Sequence, residues 1–332
     1  MLERFDSVLE RAAARGLQTM PTLFSGHMSG VNWLPAWTLD PATPTTRFRT
    51  IAGGHDSPYA IGDFYRGELL AAQRFFAQTL APRAREHPAL HSWDLGNEFS
   101  NLRLPRTPRD AHDWSAALSD DLLAGSNLPV TGGIHGEDVT RENHIRPSSI
   151  AEPWDFATMH GYSVYSDFAR DRTDPEVVPF LAELTASCAH KRVLFSEFGN
   201  PTCPPNTHKL GDFACLDEEE MAQYASAVLE RLQARGALGA FWWCWADYAA
   251  ALEQTPPFDR APHELHFGIV RNDGSAKPVA AALAAFAHQR HTVCTPLAPI
   301  VDEHDYFAEL PGSIRASYGA YCRARDAGKE NP

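Results

Sequence analysis

The chain has 332 residues, of which 44% are hydrophobic and 21% charged, the balance of a globular rather than a disordered protein. That length builds one large α/β domain or two small ones. With 29 Lys plus Arg against 42 Asp plus Glu, the formal net charge is −13 and no basic cluster appears, which argues against nucleic acid or an anionic membrane surface as a partner.

Along the chain, Phe5, Val8, Leu9 and Ala12 recur at helical spacing and predict a first helix. Residues 17–24 (LQTMPTLF) read as a strand, weakened by Pro21. The segment 25–37 (SGHMSGVNWLPAW) is expected to be a loop. Residues 67–85 predict a helix and 90–96 (LHSWDLG) a strand; 108–124 a helix and 128–134 (LPVTGGI) a strand. Residues 155–160 (DFATMH) read as a strand, 176–189 as a helix and 192–198 (RVLFSEF) as a strand. Residues 217–235 form a strong helix with acids in its first turn, where the helix dipole favours them. A strand at 239–245 (GAFWWCW) and a closing helix at 277–289 complete the pattern. Ile314, Tyr318 and Tyr321–Cys322 suggest a last helix, with 329–332 frayed. Alternating strands and helices are the signature of a parallel sheet with crossover helices.

Polar and aromatic residues cluster at the C-terminal ends of several different strands: Asn97-Glu98, His160, Glu197, Trp243 and Trp245. No GxGxxG or GxxxxGK[ST] opens any helix. That distribution fits a (β/α) barrel, which builds its site at strand ends, better than a doubly wound nucleotide-binding sheet.

Glu98 and Glu197 each stand where an apolar strand turns polar, a setting that partly desolvates a carboxylate. A pair of such groups is what glycosidic cleavage needs: one protonates the leaving oxygen, the other attacks the anomeric carbon or activates water. Trp33 and Trp243, and less directly Trp37 and Trp245, suit stacking on the CH faces of pyranose rings. Segment 25–37 also holds His27, a candidate sugar contact, and Asn32. Gly26-His27-Met28-Ser29-Gly30 is not a GxSxG elbow, and His263-Glu264-Leu265-His266 is not HExxH. His135, Glu137 and Asp138 read as a solvated loop, so no metal and no cofactor are expected.

With these motifs in order, the chain resembles glycoside hydrolase family 5 and its clan relatives. In that family an Asn-Glu ends the fourth barrel strand and a second Glu ends the seventh. The matches here are Asn97-Glu98 and Glu197, with His160-Gly161-Tyr162 near the end of the sixth strand and Trp243 at the end of the eighth. Residues 267–278 resemble the family's lead into the last helix. The resemblance implies a (β/α)8 TIM barrel lacking its first two strands, with only the third to eighth readable. Residues 1–290 would be an N-terminally incomplete catalytic barrel, and 291–332 an extension packed on it. It further implies a retaining hydrolase of β-linked hexosides, with Glu197 as nucleophile and Glu98 as acid/base. Asn97 would bind the sugar 2-hydroxyl, and His160 and Tyr162 would orient the carboxylates. The Arg that usually holds the nucleophile ionised has no counterpart in this chain. β-Mannosides are the favoured substrates on the likeness of segments 27–37 and 242–247 to mannan-processing relatives. A β-1,4-glucanase, a non-catalytic carbohydrate-binding protein and an inactive fragment are the alternatives. The partner is then an oligo- or polysaccharide.

The longest strongly apolar run, residues 237–246, ends at Asp247, short of the ~18–20 residues that span a bilayer. Glu3, Arg4 and Asp6 stand where the apolar core of a signal peptide would begin. The expectation is a cytoplasmic protein whose cysteines, none in a CxxC pair, are reduced thiols. Cys203 and Cys215 share one Pro-rich loop and are the pair that could be bridged.

Overall fold

The computed structural model describes residues 2–45, 47–204, 207–211, 213–289 and 300–329. In chain order, α1 (Leu2–Ala13) leads to β1 (Thr22–Phe24). Six short strands follow: β2 (His27–Met28), β3 (Val31–Trp33), β4 (Leu39–Pro44), β5 (Arg49–Ala52), β6 (His55–Ser57) and β7 (Tyr59–Ile61). Then come α2 (Gly67–Leu80), β8 (Trp93–Asn97), α3 (Pro108–Gly125), β9 (Val130–Gly133), α4 (Gly136–Thr140), α5 (Pro147–Ile150) and β10 (Ala157–His160). The remainder is α6 (Val177–Ala189), β11 (Val193–Phe198), β12 (Lys209–Leu210), β13 (Phe213–Ala214), α7 (Glu218–Ala234), β14 (Gly239–Trp242), α8 (Pro278–His288), α9 (Glu303–Ala308) and α10 (Gly312–Lys329).

The chain divides into two compact units. The first comprises Met1–Ile134, Glu142–Thr158 and Ala189–Lys191. Its main sheet has the order β1-β8-β9, all parallel, with Phe24 opposite Gly96 and Asn97 opposite Gly133. Strand β8 is buried along nearly its whole length, so its one acid must be satisfied internally. Asp94 does this by accepting from Thr22 Oγ1 at 2.7 Å and from the Gly96 N–H at 3.2 Å. The β8–β9 approach depends on glycine: a Cβ on Gly133 would lie 2.2 Å from the Gly96 carbonyl oxygen. Behind the sheet, α3 starts at the cap Thr107, which accepts from the Asp110 N–H, with Pro108 in its first turn. Trp114 of α3 is fully buried among Phe64, Tyr65 and Phe99, and its indole N–H donates to Gln73 of α2 at 2.6 Å. Burial of a large apolar side chain of this kind contributes about 1.5–3 kcal/mol.

The segment expected to be a loop is instead folded. Strands β2, β3, β5 and β6 form a four-stranded sheet, and β4 pairs with β7. Their two- to six-residue lengths and the prolines 41 and 44 in β4 hide them from a periodicity reading.

The second unit comprises His135–Arg141, Met159–Cys188 and Arg192–Pro332. Its main sheet has the order β10-β11-β14, with β14 parallel to β11. The strand expected at 239–245 ends at Trp242. Helix α7 opens with a capping box in which Asp217 accepts from the Glu220 N–H and Glu220 from the Asp217 N–H. Leu216, Met221, Ala222, Ala225 and Val279 bury a small core between α7 and α8, closed by Trp242, Ile269 and Leu283. His135 and Asp138 are not in a solvated loop. They are 7% and 0% exposed and start the short helix α4, where the His135 N–H donates to Asp138 at 3.0 Å. Helix α10 buries Ile314, Tyr318 and Tyr321, the last two with their rings against Phe180 of α6. The residues expected to fray fall mostly outside those described. Cys203 and Cys215 are disulfide-bonded, which corrects the expectation of reduced thiols for that pair. Among the described residues, no helix is long and apolar enough to cross a membrane.

Candidate active-site residues

In the first unit, β8 ends at Asn97, and Glu98 follows in the left-handed region at φ 45°, ψ 44°. Such a backbone is unusual for a residue other than glycine and turns the chain sharply out of the strand. The Glu98 N–H donates to the Gly133 carbonyl at 3.0 Å, so the same close approach that requires glycine at 133 also fixes the turn. The Glu98 carboxylate is 16% exposed. Its Oε2 accepts from Asn101 Nδ2 at 3.0 Å and lies 4.0 Å from His27 Nε2.

Three residues complete that surround. Asn32 Nδ2 donates to the Asn101 carbonyl at 3.2 Å, which orients the amide and turns Asn32 Oδ1 toward His27 Nδ1 at 2.7 Å. A carbonyl oxygen can only accept, so His27 carries a proton on Nδ1. Asn97 Nδ2 donates to the His27 carbonyl at 2.9 Å. His27 and Asn32 are buried, at 4% and 5% exposed, whereas Trp33 is 39% and Trp37 67% exposed.

In the second unit, Glu197 lies near the end of β11, 16% exposed. The residues after β10 converge on it. Tyr162 Oη donates to Glu197 Oε1, His160 Nδ1 lies 3.5 Å from Oε2, and the Gly161 N–H donates to the Glu197 main-chain carbonyl at 3.0 Å. A Cβ on Gly161 would meet the Leu181 side chain at 2.5 Å, so a larger residue there would have to displace it. Hydrogen bonds of this kind favour the ionised form of a carboxylate. Trp243 follows β14, its N–H donating to the Phe198 carbonyl at 2.8 Å, and the Trp243–Cys244 peptide is cis. Trp245 is 74% exposed.

Beside Tyr162 lies a cluster that the sequence reading passed over. Tyr165 packs on Tyr162 with ring centroids 5.4 Å apart, and its hydroxyl donates to Glu264 Oε1 at 2.7 Å. That hydrogen is committed, so the Tyr165 oxygen accepts from His263 Nε2 at 2.9 Å. Phe213 stacks on His263 at 3.7 Å. Burial pushes His263 down to about 4, so the ring is neutral at pH 7. Tyr248 is pushed up by burial and by the nearby Cys244, Glu264 and Glu197. Lys277, 2% exposed, donates to Asp247 at 2.7 Å, to Thr202 at 2.9 Å and to the His266 carbonyl at 3.1 Å. Burial lowers its pKa and the Asp247 bond opposes that shift. His263 and Glu264 were visible in the sequence only as a failed HExxH. The signal for Asn101 was its position three residues after Glu98, one turn of helix away.

No protein-family model matches the chain, and no curated protein matches it. Solved structures do. One is a GH5_18 protein from Streptomyces cattleya in complex with Manβ1-4GlcNAc, with a TM-score of 0.76 and 19% identity, covering 98% of this chain and 78% of that one. A second is a GH5_18 protein from Bifidobacterium longum subsp. longum with the same disaccharide, at TM-score 0.69 and 20% identity, covering 89% of this chain and 66% of that one. A third is an exo-β-1,4-mannosidase from an Opitutaceae bacterium, at TM-score 0.65 and 22% identity, covering 86% of this chain and 48% of that one. The chain has the fold of glycoside hydrolase family 5. That is the (β/α)-barrel fold class which the order of its strand-end motifs implied.

Proposed function

We propose that this chain is a retaining glycoside hydrolase of family 5 that cleaves β-mannosides by double displacement. The observation that carries the reading is the setting of Glu197: a strand-end carboxylate that receives Tyr162 and lies beside His160, on a fold shared with structures that hold Manβ1-4GlcNAc. Glu197 is the nucleophile, kept ionised and aimed by Tyr162. Glu98 is the general acid/base. Its Oε2 accepts from Asn101 and lies 4.0 Å from His27 Nε2.

In the first step Glu197 attacks the anomeric carbon while Glu98 protonates the departing glycosidic oxygen. In the second, Glu98 takes a proton from water, which releases mannose from Glu197. Double displacement of this kind needs the two carboxyls about 5–5.5 Å apart. The exposed Trp33 and the half-buried Trp243 are the sugar-stacking surfaces. His27, buried and bonded to Asn32, supports Glu98.

The test is a panel of 4-nitrophenyl β-mannoside, Manβ1-4GlcNAc, cellobiose and 4-nitrophenyl β-glucuronide. Turnover is expected on the mannosides, with β-mannose as the first product by proton NMR. Glu197→Ala should lose more than about 10⁴-fold in kcat. Added azide should then give α-mannosyl azide, whereas Glu98→Ala should give the β-azide. First-formed α-mannose overturns retention. Cleavage of cellobiose in preference to mannosides favours the glucanase reading, and binding without turnover the non-catalytic one.

A further inference from the structure

Tyr318 of helix α10 lies 144 residues from Asp174, yet its hydroxyl donates to Asp174 Oδ2 at 2.5 Å in a buried bond. The Asp174 side chain is 0% exposed. It also accepts from the Arg170 guanidinium at 2.9 and 2.5 Å, from the Arg170 N–H at 3.0 Å and from the Glu176 N–H at 3.2 Å. The Asp174 main-chain carbonyl, in turn, accepts from Ser163 Oγ at 2.7 Å. With its hydrogen committed there, Ser163 Oγ accepts from Tyr224 of α7 at 2.9 Å.

Ser163 opens the one-turn 3₁₀ helix Ser163–Tyr165. The residue before that turn is Tyr162, which donates to Glu197, and its last residue is Tyr165, which donates to Glu264. A hydroxyl on the C-terminal helix is therefore linked, through one buried carboxylate and one serine, to the turn that delivers the donor to Glu197.

We propose that helix α10 is a working part of the candidate active site, with Tyr318 a positioning residue that acts through Asp174 and Ser163 on Tyr162. The inference rests on the assignment of Glu197 as nucleophile. A hydrogen bond to a carboxylate is strongly directional, so a small rotation of the turn weakens it without disturbing bulk packing.

The test compares Tyr318→Phe, Ser163→Ala and the double variant. Tyr318→Phe keeps the ring that packs on Phe168 and Phe180 and removes the hydroxyl, which donates to Asp174 and also meets the neighbouring Cys322 thiol. Each single variant should lower kcat by about threefold to tenfold. KM should stay within about twofold, as expected for a group that acts on the transition state. The double variant should be no worse than the poorer single one, because both lie on one path. The acid limb of the rate profile should move to higher pH in all three, since Tyr162 then supports ionised Glu197 less well. His160 and Tyr248, two further groups placed near Glu197, are untouched, as is Glu98.

A Tyr318→Phe protein with unaltered kcat and acid limb but a lower melting midpoint overturns the proposal and leaves Tyr318 a packing residue. Should Tyr318→Phe fail to fold, Ser163→Ala carries the same kinetic prediction with α10 intact. A second readout does not depend on activity. In protein labelled with ¹³C-tyrosine, the Tyr162 resonance, identified by its loss in Tyr162→Phe, should shift in Tyr318→Phe; an unmoved resonance overturns the proposal. An inactive parent on the whole mannoside panel counts against the assigned function alone.

Discussion

Glu98 and Glu197 have the same side chain and different surroundings. Glu197 takes its donor from a tyrosine one strand away, with a histidine beside it, a setting that suits a group that must be ionised. Glu98 receives an amide from its own turn and lies beside a histidine whose Nδ1 proton is fixed by Asn32. That suits a group that exchanges a proton at each step. The neutral His263 next to Tyr165 makes a prediction at this scale. The folded chain holds its imidazole at about 4, against 6.5 for the unfolded group, and its side chain is 12% exposed. Between those values the unfolded chain binds the proton and the folded chain does not, so stability falls as pH drops from 6.5 toward 4. Urea unfolding at pH 7 and pH 4.5 should differ by about 2 kcal/mol more in the parent than in His263→Gln. Equal differences would mean that His263 is solvated in the folded state. This cluster was illegible in the sequence because its members, Tyr165, Phe213 and His263–Glu264, come from three segments far apart in the chain.

Helix α10 is fastened by more than its apolar face. Besides the Tyr318–Asp174 bond, Arg325 pairs with Glu176 at 3.1 Å and Arg315 with Asp167 at 2.7 Å, and Arg235 lies over the Tyr321 ring. Glu176 also pairs with Arg231 of α7 at 2.8 Å, so one buried carboxylate ties α7 and α10 to the start of α6. Asp174 gives this arrangement a pH signature. Burial alone would raise its pKa, but the hydrogen bonds from Arg170 and Tyr318 win and hold it at about 2 against an ordinary 3.8. The contribution is complete above pH 3.8 and is lost as pH falls toward 2. The parent should lose about 2 kcal/mol over that interval that Asp174→Asn does not, as measured by chemical denaturation at each pH. Identical acid curves would remove Asp174 from the account. The apolar spacing of Ile314, Tyr318 and Tyr321 let the helix be read from the sequence. Its polar partners could not be, since Asp174 and Tyr318 stand 144 residues apart. Elements with strong local signals were legible in the same way: α7 through the acids of its first turn and β11 through the apolar run Val193–Phe195. The short strands β2 to β7 were not, because their pairing rather than their composition makes them strands.

At the scale of the whole chain, the charge of −13 would steer a cation and repel an anion, but a neutral mannoside feels neither. The kcat/KM for 4-nitrophenyl β-mannoside should therefore stay within about twofold between 0.05 and 0.5 M salt, a range over which the screening length falls severalfold. A steep rise with salt on this neutral substrate would overturn that account, whereas such a rise is expected for an anionic sugar such as 4-nitrophenyl β-glucuronide. Most of what located the candidate residues was legible because strand ends in a βα repeat are where the backbone leaves the core, so a lone polar residue there is conspicuous. The left-handed backbone at Glu98 was not legible, and it reaches beyond chemistry. A side chain other than glycine costs about 1–2 kcal/mol in that conformation. A glycine at 98 would recover that energy and delete the carboxylate in one step. Directed evolution for heat resistance alone, with no screen for turnover, would thus be drawn toward a sturdier protein that lacks the proposed acid/base.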